Sequence, residues 1–455
     1  VAVGSTLSAQ QQTAYVATGS YGLAVVDFSA FTSPIVLGQL DLPGDAVDVA
    51  VDAARNIAVV VGSSGVHFVN VSDRMMPVLR QTVALPLGAT TVEILDGVAY
   101  VGTGLGEIVS LEIVTGERLE TLSLGFNPIT GMAREGTLLY TMDSAKTLRV
   151  LDIANVVIAT RGSLTLADGG GKIFVGNGLV LATAVQSSDG AGGFSTVDVS
   201  NPNASVLISG ADANFTDGTM PKAAIAANGS GLAIIAGSNF AQNQLQVVSL
   251  ADPLVTNNTL GVFQTPSAAK GLAIASGIAF VAGGTGGLQV YNYLGFDTLG
   301  VAPTVSITSP ITDADPGTPG IQLVEGSSVP IRVQVSDDTQ VRNVELLVGG
   351  VLVDNDVSFP FDFVALAPAL GPGVTSINVQ VRATDTGGNQ RLSNLLTFEL
   401  VEDIVPPSVI DTAPDPGQKV FFTPSIDVLF NEPLDETRLN LSGVTLFNLG
   451  VDGVV

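Results

Sequence analysis

The chain has 455 residues, with no cysteine, no tryptophan, one histidine, and 42 acids against 17 bases. Disulfides, zinc–thiolate sites, iron–sulfur clusters and thiol nucleophiles are excluded, and any serine–histidine–aspartate triad would have to use His67. A net charge of −25 argues against a nucleic-acid partner, and no apolar run approaches the ~18 residues of a membrane-spanning helix.

Apolar residues make up 46% of the chain, enough for packed cores, and the length points to two or three domains. The sequence opens on Val1, without a basic or apolar leader in residues 1–13, and reads as a mature or excised segment. The absence of cysteine together with only five lysines points to an exported prokaryotic protein.

From the start, one pattern recurs. Residues 14–28 read AYVATGSYGLAVVDF, 57–71 read IAVVVGSSGVHFVNV, and 98–113 read VAYVGTGLGEIVSLEI. The segments 138–153, 179–199, 232–250 and 278–292 repeat it: a short apolar strand, a Gly/Ser turn, and a second strand ending near Asp, Asn or Ser. Another apolar segment precedes most pairs (46–51, 90–95, 222–227, 269–275), and a fourth follows most of them, as at 35–42 and 78–85. Four strands in a period of about 43 residues is the spacing of a β-propeller blade. Gly, β-branched residues and breaks every few positions disfavour helix. Seven units fill residues 1–300, with boundaries near 45, 88, 127, 169, 219 and 267. The seventh has a weak fourth strand, sought within 294–300, or else the ring closes with residues upstream of Val1.

The string Gly22-Leu23-Ala24-Val25-Val26-Asp27, followed by Pro34-Ile35-Val36-Leu37-Gly38, resembles the LVIVD repeat of bacterial and archaeal surface propellers. Blade 2 matches it through Gly65, Val66 and Val69, with Asn70 in place of Asp. The resemblance implies an extracellular binding or structural role.

A Pro-rich switch at 301–310 opens a region of longer alternating strands: 304–308, 329–336, 341–348, 351–354, 361–366, 375–384 and 394–401. Seven strands in about 100 residues suggest an Ig-like sandwich over 301–402. The element Ala383-Thr384-Asp385 with Gly388-Asn389 resembles the turn of tandem Ig-like domains in bacterial surface proteins. From 403 to 455 a further module is similar to another bacterial Ig-like family, through the Pro406-Pro407 entry and Asn431-Glu432-Pro433-Leu434-Asp435. It holds about half a sandwich, so the natural chain is expected to continue past Val455. The expected fold is all-β: a seven-bladed propeller, then Ig-like sandwiches, the last incomplete.

Candidate sites follow from this layout. Asp337, Asp338 and Asp385 fall on loops at one end of the sandwich, facing the preceding domain, and three converging carboxylates suit Ca2+. Residues 301–455 carry 20 acids and 6 bases, which favours a cation there. Enlarged loops at 185–193 and 237–244 and the connection 210–221 form a lip on the propeller's upper face. Asp189, Asp212, Asn214, Asp217, Asn239 and Asn243 are its candidate ligand-binding residues, because long loops on a rigid scaffold carry binding.

Asp27, Asn70, Asp73, Asp152, Asp198 and Asp252 recur at or just after the third strand of a blade and read as turn caps. His67 has no second His or Cys to complete a metal site, so it reads as structural. Gly102, Gly104 and Gly106, like Gly169–Gly171, open no helix and are turns, not phosphate cradles.

The function expected is a non-enzymatic, extracellular or cell-surface structural protein that associates with copies of itself into a filament, sheath or surface layer. The alternative is an adhesin binding glycan or protein through the upper lip. Against it stand zero Trp and six Tyr, a poor supply of rings for stacking on sugars. A secreted carboxylate-based hydrolase is a remote third reading.

Overall fold

The computed structural model describes residues 1–5, 12–154, 157–184, 193–209, 222–238, 243–405, 408–413 and 427–430. Apart from one short 3-10 turn at Gly284–Gly286, its regular elements are strands. The first 291 residues form seven consecutive antiparallel sheets, six of four strands and a seventh of three. The innermost strands are Ala2–Ser5, Ala46–Asp52, Ala89–Leu95, Ile129–Glu135, Gly170–Gly176, Lys222–Ala227 and Gly271–Ala275. Each sheet then steps outward in sequence order.

Burial follows position in the sheet. In blade 2 the second strand, Ile57–Gly62, is buried throughout, whereas the outermost strand, Val78–Val83, alternates exposed and half-buried. A middle strand has a neighbouring blade against each face, so an unbroken apolar run suits it. An outer strand has one wet side, and alternation suits that.

Seven apolar clusters fill the seven interfaces between adjacent blades. The one that closes the ring joins Ala14, Val16, Ala24, Val26 and Phe28 of blade 1 to Ala275, Ile278 and Phe280 of blade 7. The Phe28 and Phe280 rings lie 4.4 Å apart, and the Gln12 side chain hydrogen-bonds the Ser276 hydroxyl. Blade 1 supplies its own four strands, and blade 7 stops at Leu288–Tyr291. Residues 294–300 add no strand. Phe296 instead turns back to meet the Phe31 ring edge-on at 5.5 Å. The ring is therefore closed by side-chain packing, without a shared strand among the described residues.

The described chain forms two compact units. The first comprises 1–311, 330–365 and 378–396, so it contains the propeller and several strands of the region that follows. In it Thr304–Thr308 pairs with residues 332–336, and Val341–Val348 pairs with both Val351–Asp356 and residues 379–385. Alternation along Ser328–Ser336 buries Val329, Ile331, Val333 and Val335 on one face. The second unit comprises 312–329, 366–377 and 397–455. Within it Gln322–Val324 pairs in parallel with residues 399–401, and Val409–Ala413 pairs with Asp427–Phe430. The architecture is all-β, a seven-bladed propeller followed by an Ig-like β-sandwich.

Replacing Phe280 at the closing interface by Ala removes a fully buried ring and should cost about 3–5 kcal/mol in denaturant unfolding. The control Leu260→Thr, on an outer strand and 59% exposed, should change stability by less than about 0.5 kcal/mol.

Candidate functional site

Most of the upper lip, namely Asp189, Asp212, Asn214, Asp217 and Asn239, lies outside the described residues. Asn243 opens the strand Asn243–Ser249, half-buried, and its carbonyl accepts the Thr265 amide at 2.9 Å. The recurring acids of the blades are turn caps. Asp27, Asn70, Asp73, Asp152, Asp198 and Asp252 each accept the amide of the residue two positions on, at 2.8–3.0 Å. Bonds from Ser200 hold the Asp198 carboxyl below the usual range. His67 is buried between Thr82 Oγ1, Ser64 Oγ and the Pro43 carbonyl, and burial lowers its pKa.

The sandwich carboxylates regroup. Asp297, in the segment after blade 7, joins Asp337 and Asp338, with one oxygen of each lying within 4.8 Å of the others. Asp385 is outside that group. It is fully buried, and its two oxygens accept the Asn389 amide and Nδ2, each at 2.9 Å. Asn389 Nδ2 also reaches Asp297 at 3.2 Å, so Asp385 positions the turn behind the cluster. One Asp337 oxygen accepts the Thr339 and Gln340 amides at 3.0 Å. The other is buried with no hydrogen-bond partner among the described residues. Burial raises the Asp337 pKa, and the charges of Asp338 and Asp385 raise it further against those two amide bonds. An orphan carboxylate oxygen beside two more carboxylates is a donor set that fits a hard cation such as Ca2+. Asp297 escapes sequence reading because it stands in a linker with no strand pattern around it.

A larger site lies on the propeller axis. The inner strands enclose a cavity of about 450 Å3, and the turn between Val351–Asp356 and Asp362–Leu366 lines part of its wall. That turn is fastened at several points. The Val357 carbonyl accepts the Ser276 amide at 2.8 Å, and Val357 packs into the Phe28–Phe280 cluster. The Ser358 hydroxyl donates to the Ile274 carbonyl. Phe359 stacks on Phe174 with centroids 5.9 Å apart. Asp362 accepts the Gly136 amide at 2.6 Å and pairs with Arg134 at 3.3 Å. Gly176 and Gly229 are needed where Phe359 lies. A Cβ on them would come within 2.3 and 2.7 Å of its ring.

The cavity wall carries charge. Asp48 pairs with Lys172 at 3.5 Å and accepts the Thr91 hydroxyl at 2.9 Å. Burial would raise the Asp48 pKa, but Lys172 and the Thr91 bond bring it below normal. Burial pushes Glu93 up to about 7, with Arg134 opposing. Burial likewise pushes Asp356 up to about 8, against its Ser358 amide bond and with help from the Asp354 and Asp362 charges. The inner strands gave a signal for these groups, since Asp48 and Glu93 each stand alone among uncharged residues at 46–51 and 90–95, and Arg134-Glu135 end the run at 131–135. Nothing in sequence tied them to a loop more than 200 residues away.

Residues 303–379 match the bacterial Ig domain family, and residues 7–41 match the LVIVD repeat. The chain joins an LVIVD-repeat propeller to a bacterial Ig domain. No curated protein matches it. Among solved structures it is similar to a chain of the mitotic checkpoint complex, at 13% identity and TM-score 0.50, covering 62% of this chain and 86% of that one. Two others are the WD40 β-propeller domain of Doa1 (10% identity, TM-score 0.47, 63% and 90%) and the computationally designed Ika8 protein (15%, 0.44, 64% and 82%). The likeness to solved structures concerns the fold alone.

A carboxyl that binds its proton more tightly folded than unfolded favours the folded LVIVD propeller most below about pH 4. That preference is lost as pH climbs through the folded value, about 7 for Glu93 and about 8 for Asp356. The melting temperature should therefore fall between pH 5 and 9, and Asp356→Asn should flatten the fall, as scanning calorimetry across that range will read.

Proposed function

We propose that the protein is a non-catalytic structural component of a prokaryotic cell surface that works by its outer faces and associates with copies of itself. One observation carries this reading: the Val357–Phe361 turn is fastened across the propeller's inner strands by hydrogen bonds and ring stacking. The turn also lines the axial cavity. The Asp48–Lys172 and Arg134–Asp362 pairs are directed at each other, which favours a rigid support over a reaction site. Charged residues are only 13% of the chain, which leaves wide neutral faces for packing. The bacterial Ig domain match supports placing the protein at the surface or outside the cell.

In the same reading, Asp297, Asp337 and Asp338 hold Ca2+ and brace the segment after blade 7. Support comes from the partnerless Asp337 oxygen and the raised Asp337 pKa. Bound cation would relieve the mutual repulsion that burial makes costly.

Two measurements test this. Light scattering over a concentration series should show growth beyond the monomer, and monomers at every concentration would contradict the assembly reading. Excess Ca2+ over chelator should raise the melting temperature of the wild type by a few degrees and leave Asp337→Asn unmoved. Equal melting temperatures of the wild type with and without Ca2+ would remove the cation.

A further inference from the structure

A second cavity, of about 140 Å3, lies between blades 5 and 6 among Phe174, Leu179, Leu181, Phe194, Val255 and Phe359. Its one charged liner is Asp252, which caps the Leu254 amide at 3.0 Å. Leu254 and Val255, at the edge, are 66% and 39% exposed. A polar group entering such a place would lose its water without replacement. An apolar cavity of about 150 Å3 lined by Leu and Phe accepts a benzene ring. The chemistry selects one apolar ring.

The sequence of turns places this cavity on a known face. In every blade the chain runs down the inner strand, so first-to-second and third-to-fourth turns share one face. Second-to-third turns and inter-blade connections share the other. The cavity is built from Gly176–Leu179, Gly229–Gly231 and Leu250–Val255, all turns of the first kind. The opposite face carries an exposed apolar knob. Phe126, in the connection between blades 3 and 4, is 94% exposed, the highest value among the large apolar residues described. Leu87, in the preceding connection, is 77% exposed and sits in the left-handed region at φ 57°. Gly104 abuts Leu87 and Gly106 abuts Asn127, so the blade 3 turn bridges the two connections.

The surroundings of the knob are poor in charge. Segments 84–92 and 124–132 hold no acid or base, in a chain of net charge −25. Two copies of like net charge repel over most of their surfaces, and an uncharged knob adds nothing to that repulsion where it enters the cavity. Knob and cavity lie on opposite faces of one compact unit, so the ring cannot fill the cavity of its own chain.

We propose that Phe126 of one copy inserts into the blade 5–blade 6 cavity of a second copy, a heterologous contact that repeats head to tail. Such a contact does not close on itself unless the rotation between copies permits a ring. The inference rests on the self-association reading above and names its contact.

The test uses two variants that each spoil one half. Phe126→Asp alters only an exposed side chain, and Val255→Trp covers the cavity at its rim. In analytical ultracentrifugation each variant should associate on the order of 10- to 100-fold more weakly than wild type, the share expected for one buried ring. An equimolar mixture should form one-to-one dimers and nothing longer, because the Val255→Trp copy keeps its knob and the Phe126→Asp copy keeps its cavity. Wild-type-like assembly of both variants would overturn the contact while leaving self-association standing. A mixture that stays monomeric, while wild type assembles, would also overturn it. Wild type that stays monomeric throughout would overturn both readings.

Discussion

Everything in this molecule depends on burial between neighbouring blades. A four-stranded blade with two apolar faces is not stable alone, and each face is covered only because the next blade stands against it. The constraint becomes strictest at the closing interface, where no covalent neighbour and, among the described residues, no shared strand holds blades 1 and 7 together. Phe28 and Phe280 meet there at 4.4 Å, and Val357, from beyond the propeller, enters the same cluster. The ring and the segment that follows it are in this sense one core.

That shared core explains the cluster of unusual charges around the axis. Inner strands of small apolar residues leave space at the centre, and the turn at 356–362 borders it with hydrogen bonds to Ser276 and Gly136. The carboxyls of Glu93, Asp356 and Asp362 consequently sit half-buried on the cavity wall, and burial is the leading cause of each raised pKa. Arg134 offsets part of that cost for Asp362 through a direct pair. The axial groups are therefore a consequence of how the ring is braced.

The architecture was largely legible in the sequence. Repeats with Gly turns announce blades because strand length and turn chemistry are local properties, and the sandwich strands expected at 304–308, 341–348 and 394–401 are found at 304–308, 341–348 and 396–401. The capping roles of Asp27 through Asp252 were legible for the same reason, as each involves a residue two positions away. Asp297 and the 356–362 turn were not. Their meaning comes from contacts across 40 to more than 200 residues, such as Asp297 beside Asp337 and Asp362 on Arg134, and no local pattern encodes such distances. Gly176 and Gly229 carry no mark in the sequence of their own role, because the Phe359 ring, far along the chain, sets the need for them.

The 356–362 turn is part of the propeller's core. Hydrogen–deuterium exchange tests it most directly, because the Ser276 and Gly136 amides donate to Val357 and Asp362. These two amides and those of Val357, Ser358, Phe359 and Phe361 should exchange as slowly as the buried strand Ile57–Gly62. Exchange of the turn within seconds, while the blade strands stay protected, would place the turn outside that core.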